Sequence, residues 1–483
     1  MLHKLPIYQP KLPRWKHQED ALDAMNDADG FALFMEMRTG KTKTILDEFG
    51  EDVTAGGIIN MLVIAPGGVY RTWEGDAVKH LSDDLESRTM ITCWESGPTL
   101  AQKRELKAFM AYQGPRIFLV NVEALSTDTG AAKQCELFLA SGQTTIVIDE
   151  STTIKNPGAK RTRRVLKLGE LAAKRRILSG LPSPQSPLDV YAQFKFLGVP
   201  QLENYDSFQS RYAITQKKPF GPGGRMIPVV VGYQNLEELQ RRISPHLFRV
   251  RLSDCYDLPE KMYIRRDVEM TEAQEIAYDS MLDFAVAELE NAERVTATIV
   301  LTQMLRLHQI LCGVTMSDDG VEVEVAENRT AEMLDILEQT DGKVVIWAAY
   351  GANVKRITKA IQKVYGIDSV ANFWGGNADQ READEARFKT LSHCRFMVAT
   401  AAAGGRGRTW DVADTIIYYS NTFSLEHRMQ SEERTQAVGK KKSVGIFDLR
   451  CPGTVEDKII DALRNKIELS NAITGDAWRE WIR

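Results

Sequence analysis

Cysteines and histidines are few, and long apolar runs are missing; each shortage removes a class of protein. The six cysteines (Cys93, Cys135, Cys255, Cys312, Cys394 and Cys451) lie far apart and form no C-x-x-C pair, which argues against a zinc knuckle and against a disulfide framework. The seven histidines are scattered, without the paired spacing of metal ligands. No stretch approaches the roughly 20 apolar residues of a membrane span, and the opening "MLHKLPIYQPKLPRW" lacks the apolar core of a signal peptide. Internal repeats and low-complexity tracts are absent by inspection. The expectation is a cytoplasmic protein of a reducing compartment, with no structural metal and no membrane contact.

The rest of the composition is that of an ordinary globular chain: 483 residues, 43% hydrophobic and 26% charged. At roughly 150 residues per domain this is enough for two or three domains. The net charge of -5 does not exclude nucleic acid, because a local basic track can do the electrostatic work.

Short aliphatic runs ending in polar or Gly/Pro punctuation read as buried strands: 31–37, 61–66, 116–122, 145–150 and 175–180. Helix-forming segments separate them, so the first half reads as a parallel sheet covered on both faces. From about 199 to 250 the rhythm changes, with "KKPFGPGGRMIPVVVGY" as a loop or hairpin and "NLEELQRRISPHLFRVR" as helical. A linker is expected at 256–265 and helical segments at about 271–312. A second alternating set follows at 343–350, 369–376, 394–405, 414–421 and 442–450. The expected organisation is two α/β lobes, residues 1–255 and 266–483, each with a mostly parallel sheet flanked by helices.

In such sheets function collects at the carboxyl ends of strands. "MEMRTGKTKT" (35–44) follows an apolar run and precedes an amphipathic helix. Gly40-Lys41-Thr42 matches the end of a phosphate-binding loop, although the loop's leading glycine is replaced by Met35. There the backbone N–H groups face phosphates, Lys41 supplies a point charge and Thr42 can hold Mg²⁺. "TIVIDE" ends a buried strand in Asp149 and Glu150. Paired carboxylates there are costly unless a cation or a reacting water uses them. Asp149 is the expected Mg²⁺ ligand, and Glu150 the residue that orients or deprotonates the attacking water. An ordinary helix start and a solvated strand end are the competing structural readings.

The order of motifs resembles helicase superfamily two, specifically its Swi/Snf-type double-stranded DNA translocases, over nearly the whole chain. "LPRWKHQEDAL" (12–22) is similar to the segment whose glutamine, here Gln18, contacts adenine. "MEMRTGKT" resembles D-E-M-G-L-G-K-T, which also lacks the leading glycine; Arg38 stands where that loop has a glycine. "LVIAPGGVYRTWEGDAVK" (62–79), "IFLVNVEAL" (117–125), "DESTTIKNPGAKRTR" (149–163) and "ILSGLPSPQSPLDVYAQFKFL" (177–197) resemble the next four segments in order. Ser151-Thr152 replaces an Ala-His pair. Later come the crossover-like "LFRVRLSDCYDLPEK" (247–261), "LTQMLRLHQILCG" (301–313), "KVVIWAAY" and "FWGGNADQREADEARFK" (373–389). "ATAAAGGRGRTWDVADTIIYYSNTFS" (399–424) follows them.

The resemblance implies two RecA-like lobes with helical insertions, and ATP held by Gln18, Arg38, Thr39, Gly40, Lys41, Thr42, Lys43, Gly405 and Gly407. Gln430 and Arg434, in "QSEERTQAVGK", would complete catalysis from the second lobe. That motif carries a second arginine in the family, which reaches the γ-phosphate; here the position is Ala437. Losing such a finger costs roughly 10³–10⁵ in rate. Three readings fit: compensation by Arg434 or Lys440, very slow hydrolysis, or an engineered change.

Segment 155–176 carries nine Lys or Arg residues against Glu170 alone, either a phosphate-contacting track or a solvated helix face. The positions implied to touch DNA are Gly67, Arg71, Trp73, Asn121, Trp374, Gly375 and Gly376, with core packing the alternative for both tryptophans. In the absence of a base-reading module, recognition is expected through backbone and shape. Trp478 and Trp481 could brace the lobes or simply pack the terminus. The implied activity is ATP-driven movement on double-stranded or branched DNA, by a monomer, in recombination, repair or replication. RNA polymerase and recombination proteins are the protein partners it allows, and compact bacterial and phage relatives suggest the source. A strand-separating helicase and a nucleotide-gated DNA-binding protein with little turnover are the alternatives.

Overall fold

The aliphatic runs become strands in a computed structural model that describes residues 7–127, 130–199, 202–220, 225–256, 261–291, 297–316, 322–404, 408–436, 440 and 442–474. The chain divides into two compact units. The first is built mainly from residues up to 257 and the second from residues beyond 258, with 215–231 grouping with the second and 469–474 with the first. Among the described residues no helix is long and apolar enough to cross a membrane.

Unit one holds β1 (Gly30–Met35), β2 (Asn60–Ala65), β3 (Met90–Cys93), β4 (Arg116–Asn121), β5 (Thr144–Ile148), β6 (Lys174–Leu178) and β9 (Leu247–Val250). They form one sheet in the order β3-β4-β2-β5-β6-β1-β9, every neighbouring pair parallel. Side chains alternate across it, so Leu33, Met35, Met61, Val63, Ala65, Ile117 and Leu119 share one apolar layer. Against that layer pack Leu22 and Met25 of α1 (Lys16–Met25) and Ile45, Leu46, Phe49 and Val53 of α2 (Lys41–Thr54). Their spacing is that of a single helix stripe. On the other face Phe109, Phe118 and Phe138 stack with centroids 5.5–5.7 Å apart. Gly30 lets the helix Val190–Leu197 close onto β1, since a Cβ there would lie 2.0 Å from the Leu197 carbonyl oxygen.

Outside that sheet, β7 (Ala213–Phe220) pairs with β8 (Arg225–Tyr233) as a two-stranded sheet. Unit two holds β10 (Lys261–Asp267), β13 (Lys343–Trp347), β14 (Val370–Phe373), β15 (Phe396–Ala399), β16 (Ala413–Tyr418) and β17 (Val444–Arg450). Their order is β10-β17-β16-β13-β15-β14, again all parallel. Two short strands, β11 (Val314–Met316) and β12 (Glu322–Glu324), form a separate antiparallel pair. Val344, Ile346, Val398 and Ile417 line one face of the main sheet, and Val345, Trp347, Met397 and Ile416 the other.

Three strands of the two main sheets differ from the sequence reading. β3 is only four residues long, and its pattern carries little signal. The helical reading of 235–251 fails after Ile243, because Pro245 cannot continue the helix; the chain then enters edge strand β9. The expected linker at 256–265 becomes, from Lys261, edge strand β10, whose Lys261 and Tyr263 turn inward to bond Glu432 while Met262 and Ile264 stay exposed. Residues 257–260 and 475–483, with Trp478 and Trp481, lie outside the described residues.

Unit two is tied together by a buried ion cluster. Arg329, with no exposed surface, donates to both carboxylate oxygens of Glu456 at 2.9 and 2.7 Å and to the carbonyls of Tyr419 and Leu449. His308 lies 3.3 Å from Glu456 through Nε2 and 2.7 Å from the Tyr350 hydroxyl through Nδ1. His308, Cys312 and Glu456 together offer three atoms within 4.8 Å, a spacing that a metal could use. One guanidinium nitrogen already meets both carboxylate oxygens and neutralises them, so the cluster is built as an ion pair. Burial alone would raise the Glu456 pKa, but Arg329 and His308 outweigh it and hold it at about 2. Burial opposes the imidazolium, while Cys312 and Glu456 favour it and lift His308 to about 10.

The sign for stability follows. The Glu456 contribution is present above its unfolded pKa and is lost as pH falls toward 2; the His308 contribution is full below pH 6.5 and is lost as pH rises through 10. Stability measured by urea unfolding should therefore decline from pH 6.5 to 10, and His308→Gln should flatten that decline. Glu456→Ala, which strands a buried guanidinium, should cost about 3–5 kcal/mol.

Candidate functional site

All strands of unit one run the same way, so β1, β2, β4, β5 and β6 end at one edge. The loop after β1 carries Glu36, Met37, Arg38, Thr39 and Gly40 into α2. Gly40 caps that helix with φ 87°, and a Cβ there would stand 2.1 Å from Nε2 of Gln18. Arg38, where a glycine was expected from the resemblance, nonetheless takes φ 67°. Thr39 turns inward, fully buried, with its hydroxyl donating to the Glu36 carbonyl at 2.7 Å. Gln18, also buried, donates from Nε2 to the Thr39 carbonyl at 3.3 Å and accepts the Trp15 N–H through Oε1. His17 Nε2 is 2.8 Å from the same Thr39 carbonyl. The loop is thus braced from α1 by two side chains.

The Lys41 ammonium donates to the carbonyls of Met35 and Glu36 at 2.8 and 3.2 Å. Glu36 is fixed in turn: its carboxylate accepts the Leu252 N–H at 2.8 Å, and its backbone N–H donates to the Val250 carbonyl. Arg249 lies 3.5 Å from the Glu36 carboxylate and donates to the carbonyls of Phe34 and Gly180. The edge strand β9, missed in the sequence, therefore buttresses the loop. The Lys43 ammonium is buried 2.6 Å from Asp47, which Arg14 also contacts at 3.0 Å.

Asp149 follows β5 and is 7% exposed. Its Oδ2 accepts the indole N–H of Trp73 at 3.0 Å, and its Oδ1 the Glu150 backbone N–H at 3.0 Å. Burial raises its pKa, opposed by the Trp73 bond, the nearby Lys41 charge and the Glu150 N–H. Trp73, on helix α3 (Thr72–His80), is 1% exposed. The core reading of that residue holds over the DNA reading. Its donor role was not legible, because nothing in sequence spacing links positions 76 residues apart. Glu150 adopts φ 50° and leads into a buried turn, Ser151–Ile154. The Ser151 hydroxyl donates to Oε1 of Gln193 at 2.6 Å, while Gln193 Nε2 donates to the carbonyls of Pro182 and Asp189. Gln193 couples the carboxylate loop to the segment after β6 and was also missed.

Ala65 and Asn121 are register partners, which brings the loop carrying Gly67 and Arg71 beside Asn121. Gly67 donates its N–H to Glu123 at 3.0 Å, and exposed Arg71 bonds Tyr70 at 3.0 Å and Glu95. The basic run divides: Lys174 pairs with Asp52 at 2.7 Å and buried Arg176 with Glu48 at 2.6 Å, whereas Lys160, Arg163 and Lys167 form an exposed row on helix Lys160–Gly169. In unit two, exposed Gly375 and Gly376 follow β14, with half-buried Trp374 under Lys355 at 5.7 Å. Gln430 sits on helix Leu425–Glu432. A buried network holds that helix: Arg428 stacks 3.5 Å from the Tyr418 ring and pairs with Glu432 at 2.7 Å and with Asp448. Arg434 is buried in the turn Glu433–Thr435 and donates to the Arg408 carbonyl. Gly405, Gly407 and Ala437 lie outside the described residues.

Parallel α/β sheets with a phosphate-type loop after one strand and an Asp-Glu pair after another define a nucleoside-triphosphatase class. Residues 11–316 match the SNF2-related domain, and residues 328–439 match the helicase conserved C-terminal domain. The chain belongs to the SNF2-related family of helicase superfamily two. A putative ATP-dependent helicase/translocase of Bacillus subtilis is 22% identical over 85% of this chain and 43% of its own length. A homologue in Caenorhabditis elegans of the SWI/SNF-related regulator of chromatin subfamily A-like protein 1 is 24% identical over 68% of this chain and 46% of its own. The DNA repair and recombination protein RAD26 of Saccharomyces cerevisiae is 24% identical over 68% and 31%. The chain spans less than half the length of these curated relatives. A solved structure, the SWI2/SNF2 ATPase core of Sulfolobus solfataricus with double-stranded DNA, is similar over 98% of this chain and 96% of that one, at 21% identity and a TM-score of 0.44.

Trp73→Phe removes the one indole bond to Asp149 and some packing. A hydrogen bond to a charged group is worth about 1.5–3 kcal/mol, so urea unfolding should show a loss of at least that size. A smaller loss would mean that the indole adds nothing to the carboxylate's stability.

Proposed function

We propose that this chain is an ATP-driven motor that moves on double-stranded DNA without separating its strands, in recombination, repair or replication. The observation that carries the reading is the meeting, at one sheet edge, of Lys41 with Asp149, whose ionised form the Lys41 charge favours. Lys41 would exchange the Met35 and Glu36 carbonyls for phosphate oxygens, and the N–H groups around Gly40 would face the same phosphates. Gln18, already against the loop, would read adenine. Thr42 and Asp149 suit Mg²⁺, since both offer hard oxygen donors and Asp149 is a buried carboxylate with lone pairs left. Bound there, the ion would draw charge from the phosphate oxygens. Glu150 orients and deprotonates the attacking water, and Gln430 and Arg434 are the further residues assigned to hydrolysis.

DNA contact is assigned to the loops after β2 and β4 (Gly67, Arg71 and Asn121), to the exposed row on helix Lys160–Gly169, and to Trp374, Gly375 and Gly376 in the second unit. Glycine N–H groups and cations predominate among them, chemistry that grips phosphates rather than bases. The working form is a monomer on duplex or branched DNA in a bacterial or phage-infected cytoplasm. RNA polymerase and recombination proteins are the candidate protein partners. Ala437 favours a second reading, a nucleotide-gated DNA-binding protein with little turnover.

The deciding experiment is steady-state ATP hydrolysis with and without duplex DNA. Strong stimulation of the native chain supports the motor, and a triplex-displacement assay without strand separation then separates it from a helicase. ATP binding with no hydrolysis under any DNA condition supports the gated binder instead. In the motor, Glu150→Gln should lower the stimulated rate by about 10²–10⁴-fold while leaving ATP affinity nearly unchanged.

A further inference from the structure

We propose that Lys355, Lys359 and Lys363 form a track on helix Gly351–Tyr365 that grips the phosphate backbone of duplex DNA, running on from the Gly375–Gly376 loop. The proposal rests on the reading of the chain as a DNA motor and extends it to a helix lying between the segments at 343–350 and 373–389. That helix, GANVKRITKAIQKVY, holds four cations and no acid. Among the described helices only Lys160–Gly169 of unit one also has more than one lysine or arginine and no acid. Each unit thus carries one such helix of its own.

The four cations divide by position. Arg356 is spent inside unit two: it donates to the carbonyls of Cys312 and Gly313 at 3.3 and 2.6 Å and lies 3.6 Å from Glu327. The lysines recur at every fourth residue, which sets them in one row on a single face, rising ~6 Å per step. All three are exposed, and Lys359 and Lys363 have no hydrogen-bond or ion-pair partner among the described residues. Asp368 and Asp384, on the neighbouring segments, both face Arg387. Asp379 is the one acid in the loop 375–380. Like charges four residues apart repel and weaken a helix, and nothing described within the chain relieves Lys359 and Lys363. A polyanion outside it would.

The row begins at a built corner. The Trp374 ring lies against Gly351 and Gly376, where a Cβ would stand 2.6 and 2.3 Å from it, and the Lys355 ammonium sits 5.7 Å from the ring centroid. Arg381 fixes the same residue by donating to the Trp374 carbonyl at 2.7 Å. The ring therefore pins the exposed Gly375–Gly376 loop to the first turn of the helix, beside Lys355. One strand of duplex offers a phosphate about every 3.4 Å along its axis, so a row ~12 Å long spans about three or four of them. Ammonium groups on flexible stems act as point charges, which suits phosphates and ignores base identity. Beyond Lys363 the track ends at exposed Val364 and Ile367, which have no donor for a phosphate.

The test titrates the whole chain, without nucleotide, against a fluorescein-labelled duplex of mixed sequence between about 50 and 200 mM salt. The double variant Lys359→Gln/Lys363→Gln should lower the slope of log affinity against log salt by about 1.8, or ~0.9 per lysine, so that affinity falls about tenfold less over that range. Lys359→Arg/Lys363→Arg keeps the charge and should keep the native slope. So should Lys103→Gln/Lys107→Gln, which removes the same charge from the exposed side of helix Leu100–Ala111 in unit one. If the native chain binds and the Lys359/Lys363 glutamine variant keeps its slope, the track is wrong and the motor reading stands; the row then faces solvent or an acidic protein segment. An equal drop in the Lys103/Lys107 control reduces the effect to net charge and also overturns the track. If the native chain binds no duplex even at the lowest salt, the motor reading and the track fall together.

Discussion

A parallel sheet delivers the last residue of every strand to the same edge, and that constraint organises the first unit. β1 brings the phosphate-type loop there, β5 brings Asp149, β2 and β4 bring Gly67 and Asn121, and β6 brings Ser179. No long-range design is needed to gather them, because strand direction alone does it. What strand direction cannot do is hold polar groups in an apolar neighbourhood. The structure meets that demand with side chains from neighbouring elements. Trp73 reaches Asp149, Gln193 reaches Ser151, and Gln18 with His17 reaches the Thr39 carbonyl.

Buried charge is treated in two ways, and the difference separates scaffold from site. In unit two Glu456 meets the Arg329 guanidinium and an imidazolium, so its charge is cancelled inside the protein and its pKa falls to about 2. Arg428 is likewise surrounded by Glu432, Asp448 and the Tyr418 ring. Asp149 has a different environment. Its partners are a neutral indole and a backbone N–H, its cationic neighbour Lys41 bonds carbonyls instead, and burial dominates to raise its pKa. A carboxylate left short of positive charge gains most from a cation that arrives with the substrate.

The legible part of this architecture was the part written locally. Five aliphatic runs in the first half and five in the second announced strands, and their alternation with helices announced parallel sheets. Gly40-Lys41-Thr42 and Asp149-Glu150 were visible because each is a short run with its own chemistry. β9 and β10 were hidden because an edge strand is buried on few sides and tolerates Arg249, Lys261 and Arg265. Trp73, Gln193 and Arg249 were illegible for another reason: their roles are contacts made across dozens to hundreds of residues. The basic run 155–176 misled in part, since charge density does not say which lysines and arginines face Glu48 and Asp52.

Backbone strain gives an independent view of where this molecule departs from relaxed geometry. Among the described residues, Arg38, Glu150 and Asn235 are the non-glycine residues with positive φ. Two of the three flank the same sheet edge, one in the phosphate-type loop and one directly after Asp149. Random placement would favour surface turns and Asn or Asp side chains, as at Asn235. Each strained residue is held by its surroundings: Thr39 and Glu36 lock the first loop, and the Asp149 carboxylate accepts the Glu150 N–H in the second. The conformations therefore belong to one preorganised edge, in which backbone that is costly to fold is held in place by the folded chain itself.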